Sequence, residues 1–250
     1  MRILNINNVI TAASITSSSD AVGYEAATAL KDSRLCRFWK TIGCASENVV
    51  FDFTTAKAIT YVCLMGTNLT AGATITIQGN ATNAWGAPSF TSSAFSIKGN
   101  TASVNFVAQT YRYWRLVVAD GSNPDTVIKI GLIFIGGYSQ FPSMAPDQQI
   151  PRNTTSDVGF SVMGQAYGDK RIRYKTATIN FPVVTNTELS IIDAVFEAND
   201  ITDPLICIFW ANNLDVEPPL YCVLSKGHEP KRIGNYSGCW SASITFRECK

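Results

Sequence analysis

The sequence predicts a mainly β protein, with an N-terminal β-sandwich followed by an α+β domain that has a sheet core and one helix. Three observations carry this. Up to about Gly137, short runs of β-branched and aromatic residues alternate with clusters of Gly, Asn, Ser and Thr, with very little helical periodicity. A stretch holding Pro142, Pro146 and Pro151 follows, and its prolines cannot donate ladder hydrogen bonds. Beyond it one amphipathic helical pattern stands among strand-like runs. A chain of 250 residues is long enough for two ordinary domains. The expected division is a sandwich over 1–138, a linker over 139–157 and a second domain over 158–250.

In the first half the candidate strands are Val49–Phe53, Ile59–Met65, Ala73–Gln78, Ala102–Val107, Tyr113–Val118 and Ile128–Ile135, with a short helical hint at Tyr24–Leu30. In the second half Gly159–Met163 and Arg171–Phe181 read as strands, with a hairpin across Tyr167-Gly168-Asp169. Residues Thr187–Asn199 place Leu189, Ile192, Val195 and Phe196 on one stripe, and Thr185 to Thr187 can cap the start of the helix. Leu205–Trp210, Leu220–Leu224 and Trp240–Phe246 complete a β, β, α, β, β, β order, which is α+β.

Composition narrows the function. Hydrophobic residues make up 46% and charged residues 16%, the balance of a packed protein rather than a disordered one. Twenty Lys and Arg face 19 Asp and Glu, a net charge of +1 with no basic run to track phosphates, so nucleic acid binding is not expected. The opening residues lack the charged region and apolar core of a signal peptide, and no apolar run reaches membrane-spanning length. Assembly in a cytoplasm without membrane insertion is the expectation. Seven cysteines without secretory context predict reduced thiols, with Cys63 a small core hydrophobe. The single histidine, His228, lies in a turn-like segment, and no nucleophile elbow, phosphate loop or zinc-protease motif occurs. No enzymatic activity is expected.

Several short motifs, in order, resemble the discoidin (coagulation-factor type C, galactose-binding-like) family over about residues 10 to 137. Ala26-Ala27-Thr28-Ala29-Leu30-Lys31-Asp32 followed by Phe38-Trp39 resembles that family's early turn leading to a Trp. Val50-Phe51-Asp52-Phe53 with Ala56 to Val62 resembles its strand, turn and following strand, and Tyr111-Arg112-Tyr113-Trp114-Arg115-Leu116 its aromatic and arginine-bearing strand. Ile128 to Gly136 resembles the closing strand, with Gly131 where many relatives carry a glutamate. The resemblance implies a jelly-roll sandwich whose loops at one end hold a sugar, lipid or protein, often with a structural calcium ion nearby. The loops expected there include Ser33 to Gly43 and Asn80 to Pro88. They offer Arg37, Phe38, Trp39 and Trp85 as ligand-binding candidates, since aromatic platforms suit sugar rings. Trp39 is also at the family's core Trp position, where packing outweighs binding. Arg112 and Arg115 are expected to pair with carboxylates or carbonyls.

The whole chain resembles tailed-bacteriophage minor and distal tail proteins, through Gly137-Tyr138-Ser139-Gln140-Phe141-Pro142, Gly164 to Arg171, and Ser241 to Glu248. That resemblance implies a virion tail component near the tip or baseplate. Its second domain would form a homo-oligomeric ring among tube, hub and fibre proteins, and its first would decorate the surface. A carbohydrate-binding adhesin is the alternative. Arg171, Arg173 and Lys175 alternate along a strand and form a candidate interface, as does the stretch 212–220. Cys207, Cys222, Cys239 and Cys249 are separated by 14, 16 and 9 intervening residues, without the tight spacing of a metal site, so buried thiols are favoured over a metal, with His228 a further ligand in the metal alternative.

Overall fold

The computed structural model describes residues 2–3, 8–95, 97–142, 144–145, 150–160, 162–169, 171–199, 201–209, 218–225, 229–234 and 238–249. His228, Lys170, Trp210 and residues 212–217 of the candidate interface stretch lie outside them. The fold is mainly β, in two compact units, one comprising Arg2–Ser139 with Ile208–Pro219 and the other Gln140–Cys207 with Leu220–Lys250.

The first unit is a sandwich made of β1 (Ser14–Ser17), α1 (Ala26–Ala29), β2 (Trp39–Lys40), β3 (Glu47–Met65), β4 (Thr74–Asn80), β5 (Phe90–Thr91), β6 (Ile97–Lys98), β7 (Thr101–Ala119), β8 (Lys129–Ile130) and β9 (Leu132–Gly136). Its frame is one long antiparallel ribbon of β3 and β7. The half that pairs Glu47–Asp52 with Tyr113–Val118 is flanked by β1 and β4. The half that pairs Tyr61–Met65 with Thr101–Asn105 is flanked by β9 and β6. Alternating side chains from both halves enter one core, among them Val49, Phe51, Phe53, Ile75, Ile77, Trp114, Leu116 and Val118 with Val62, Leu64, Val104, Ile133 and Ile135.

The sequence suggested four separate strands where the structure has two continuous ones, because polar residues at a bend read as a break. Register jumps from Asp52↔Tyr113 to Lys57↔Tyr111, so residues 53–56 stand opposite Arg112 alone. Thr54 takes φ 61° there, a conformation a β-branched residue keeps only when its surroundings impose it. Asp52 imposes it: Oδ1 accepts the Thr54 N–H at 2.8 Å. The same carboxylate accepts the fork of Arg112, Nε to Oδ1 at 2.7 Å and Nη2 to Oδ2 at 2.9 Å. Arg115 donates to Gln78 Oε1 at 2.9 and 2.6 Å. The two arginines of the motif therefore tie β7 to its neighbours, Arg112 to β3 through a carboxylate and Arg115 to β4 through a side-chain carbonyl, the two kinds of partner expected.

The Arg112 guanidinium holds Asp52 below its ordinary value, to about 2. A carboxyl whose folded value is depressed stabilises the fold fully above its unfolded value of 3.8 and loses that contribution as the pH falls towards 2. Screening at this half-exposed pair leaves ~1 kcal/mol. Asp52→Asn should therefore be less stable than the parent by that amount at pH 7 in urea unfolding, with the gap closing between about pH 4 and pH 2.

The second unit holds β10 (Arg152–Thr154), β11 (Asp157–Phe160), β12 (Ala166–Asp169), β13 (Arg173–Thr185), α2 (Asn186–Asn199), β14 (Leu205–Ile208, all but its last residue), β15 (Leu220–Leu224), β16 (Lys231–Arg232) and β17 (Cys239–Glu248). Its strands run in the order β14-β15-β17-β13-β10, with β16 also on β17. Ala177, Ile179, Phe181, Val184, Ala242, Ile244 and Phe246 are buried, while Thr178 and Thr245 face each other on the other side at 3.2 Å. The helix lies against β13 and β17 with Ile192 and Val195 buried and Leu189 and Phe196 half-buried. A capping box starts it: Thr185 Oγ1 accepts the Glu188 N–H at 3.3 Å and Glu188 Oε2 accepts the Thr185 N–H at 2.8 Å.

The hairpin of β11 and β12 forms a sheet of its own. Its turn is not at Tyr167-Gly168-Asp169, as the sequence suggested, but over Val162 to Gly164, where Gly164 supplies φ 80°. Tyr167 lies in the strand with its ring across Gly159, where an added Cβ would sit 2.4 Å from Cζ.

Candidate ligand-binding loops of the sandwich

Hydrogen bonds gather the long loops at one end of the sandwich. The Asp120 N–H donates to Cys44 O, the Thr70 N–H to Asp120 Oδ2, the Asn68 N–H to Lys129 O and the Thr67 N–H to Asn100 O. The other end carries the bend at 53–56 and the loop after Asn80. Asn80 pairs with Tyr113 and Thr74 with Ala119, so the ends are about 20 Å apart along β4.

Trp39 organises the loop-rich end. It is fully buried, and its indole Nε1 donates to Ser19 O at 3.1 Å and to Asp20 Oδ1 at 2.8 Å. Asp20 Oδ1 also accepts the Ala26 N–H at 3.1 Å, which ties α1 to the same point. Glu47 Oε2 accepts from Ser18 Oγ and from Ser19 Oγ, the latter at 2.8 Å, and Ser19 Oγ in turn accepts the Ile42 N–H at 3.2 Å. Loops 18–25 and 38–43 are thereby fastened to the core by buried or half-buried groups.

What these loops leave outside is apolar. Val22 is 96%, Ile42 71% and Tyr24 41% exposed, and together they are three of the four exposed large hydrophobics that the described residues of 8–138 contain. Tyr24 stacks on Phe38 with ring centroids 5.0 Å apart and planes at 21°, and the Lys40 ammonium lies 5.7 Å from the Tyr24 centroid. Arg37, next to Phe38 in sequence, is exposed, its Nε 3.6 Å from Asp32 Oδ2. The arrangement is an aromatic step flanked by an amine, with an exposed arginine on the same loop, suited to holding a flat apolar face that also carries hydrogen-bonding groups.

The expected residues are thus divided. Trp39 is core and offers no surface to a ligand, because its indole is enclosed and its N–H spent on the loop at 19–20. Arg37 and Phe38 belong to the loop-rich end. Trp85 does not: its loop follows Asn80 at the opposite end, where the ring covers the Arg115 guanidinium at 4.6 Å and Nε1 donates to Asn83 Oδ1 at 2.7 Å. The loops 33–43 and 80–88 therefore do not form one site. Sequence reasoning missed Val22, Tyr24 and Ile42. Tyr24 read as helix, and the available signal was three large apolar residues set among Asp, Gly, Glu and Thr.

The calcium ion that the family resemblance implies finds poor donors. Leu35 brings the Asp32 turn against Gly131, where an added Cβ would lie 2.8 Å from Leu35 O and 3.3 Å from Met65 O. Gly131, where the resemblance would place a glutamate, thus has no room even for alanine. Asp32 is itself engaged, accepting Arg34 Nε at 2.9 Å on Oδ1, Arg34 Nη2 at 2.7 Å on Oδ2 and the Arg34 N–H at 2.9 Å. These bonds hold its carboxyl well below the usual carboxylate range. Nearby, the hydrogen bond from Lys129, 2.9 Å long, and that from Asn68 lower Asp125. Among the described residues no three of His, Cys, Asp and Glu are grouped to hold a metal ion.

The other candidates lie in the second unit. Cys207 and Cys222 sit diagonally on paired strands, fully buried, and burial pushes the Cys222 thiol up. Cys239 pairs with Thr185 at the start of β17 while Cys249 follows its end, about 30 Å along the strand, so the four cysteines do not converge. Arg173 and Lys175 share one face of β13, but Arg171 precedes the strand and is bound to Asp169 at 2.7 Å, so the expected three-residue basic row is two.

No protein-family model and no curated protein matches the chain. Solved structures do resemble its N-terminal half. A chitosan-binding module of a chitosanase/glucanase from Paenibacillus sp. IK-5 is 20% identical, covering 52% of this chain and 98% of that one with a TM-score of 0.41. A Clostridium perfringens module, CpGH89CBM32-5, in complex with GalNAc-beta-1,3-galactose is 11% identical over 52% and 99%, with a TM-score of 0.43. A Streptococcus pneumoniae fucose binding module is 12% identical over 53% and 96%, also at 0.43. The N-terminal half is similar to carbohydrate-binding modules.

Proposed function

We propose that the sandwich is a glycan-binding module, without catalytic activity of its own, whose ligand packs on Tyr24 and Phe38 and is held at its polar groups by Arg37 and Lys40. The observation that carries this is the exposed aromatic and apolar surface on loops otherwise tied down by Trp39, Asp20 and Glu47. A surface that costs solvation energy on a rigid support has the form of a binding site. Screening the full chain against an array of immobilised oligosaccharides tests it. Saturable binding to a defined set of sugars is the expected result, and binding to none overturns the reading.

In a second reading the chain is a tail structural protein of a bacteriophage virion; it requires assembly through the second unit, for which the β11–β12 hairpin is the candidate contact. Phe160, Val162, Met163 and Tyr167 are exposed on it, and a two-stranded sheet alone is marginally stable in water. Assembly with itself or with other tail proteins would cover these residues. Light scattering on the purified chain should then report an oligomer that Phe160→Ser with Tyr167→Ser dissociates. A monomer for both proteins would remove self-assembly from the account.

A further inference from the structure

The turn over residues 31–37 is built around a fixed cation. The Arg34 guanidinium meets both oxygens of Asp32 in a fork at 2.9 and 2.7 Å, while its own N–H closes the turn on Oδ1. Arg37 adds a second positive group, Nε lying 3.6 Å from Oδ2. Leu35, between them, packs its carbonyl on Gly131. We infer that Arg34 is the resident counter-cation of this turn, so that Asp32 is taken up by a guanidinium and is not a ligand for a calcium ion of the kind the family resemblance implies.

The chemistry supports the exchange. A calcium ion takes six to eight oxygen ligands, commonly with more than one carboxylate. Here both Asp32 oxygens are already engaged, and Gly131, facing the turn, lies in a space closed to any side chain. A guanidinium needs only the planar, two-oxygen contact that Asp32 provides. It travels with the chain, so the support under Phe38 does not depend on the ions outside. The inference is independent of what the loops bind.

Thermal unfolding of the full chain tests it, with the parent, Arg34→Met, Asp32→Asn and the double variant each run in a chelator and in millimolar calcium. The parent midpoint should be the same in both media. Arg34→Met should lower the midpoint by about 2 °C, the scale of an exposed ion pair in a chain of this size. The same change should cost nothing further in the Asp32→Asn background, since the guanidinium acts through that carboxylate. A parent midpoint that rises with calcium or falls with chelator would overturn the inference, as would an equal loss from Arg34→Met in both backgrounds.

Discussion

Trp39→Ala is expected to cost the sandwich ~3–5 kcal/mol, the range for deleting a large, fully enclosed aromatic side chain. The indole has no exposed surface, and the cavity it would leave is bordered by strands that cannot close upon it. The loss extends beyond packing. Its N–H fastens Ser19 and Asp20, and Asp20 fastens α1, so the change also frees the loops that carry Val22, Tyr24 and Ile42. Trp39→Phe should cost less, because much of the volume is kept while the two hydrogen bonds are lost. Calorimetric unfolding would show the sandwich transition lowered by about 10 °C in the alanine variant. A midpoint within a degree or two of the parent would show that Trp39 does not support this end of the fold.

Tyr24→Ala should abolish most glycan binding while leaving the fold in place. The ring is half outside the protein, stacked on Phe38, and its backbone carbonyl, which accepts from Lys40, survives the change. The stability loss should stay near ~1 kcal/mol. Removing an aromatic that packs against a ligand takes away stacking and buried area together, so affinity measured by titration calorimetry should fall about ten-fold or more. Trp85→Ala is the matched control. Trp85 lies at the other end of the sandwich, and its loss should leave affinity unchanged. If Trp85→Ala removed binding and Tyr24→Ala did not, the ligand would sit on the wrong end for this account.

Much of the sandwich was legible in the sequence because its strands alternate. In Val49–Phe53 and Trp114–Val118 every second side chain is core, and this pattern survives without knowledge of the neighbours. The bend at 53–56 was not legible, since Thr54 and Thr55 look like a break between strands. Nothing local says that Arg112, 60 residues away, clamps Asp52 across it. Short strands such as Trp39–Lys40 and Phe90–Thr91 carry too few residues for a period. The site was read only in part for a similar reason. The early-turn motif pointed to the loop holding Arg37 and Phe38. Tyr24 joins them through tertiary contacts, and the separation of Trp85 follows from strand direction rather than composition. In the second unit the cysteines could not be placed, because their distances depend on which strands pair and in what register.

The measurement that bears most directly on the glycan-binding account is amide NMR of the isotopically labelled full chain, titrated with an oligosaccharide selected on the array. Binding through the loop-rich end predicts shifts concentrated at Val22 to Glu25 and Arg37 to Ile42, saturating with the affinity found by calorimetry. Shifts centred on Asn83 to Trp85 and Arg115, or no saturating shifts at all, would contradict it.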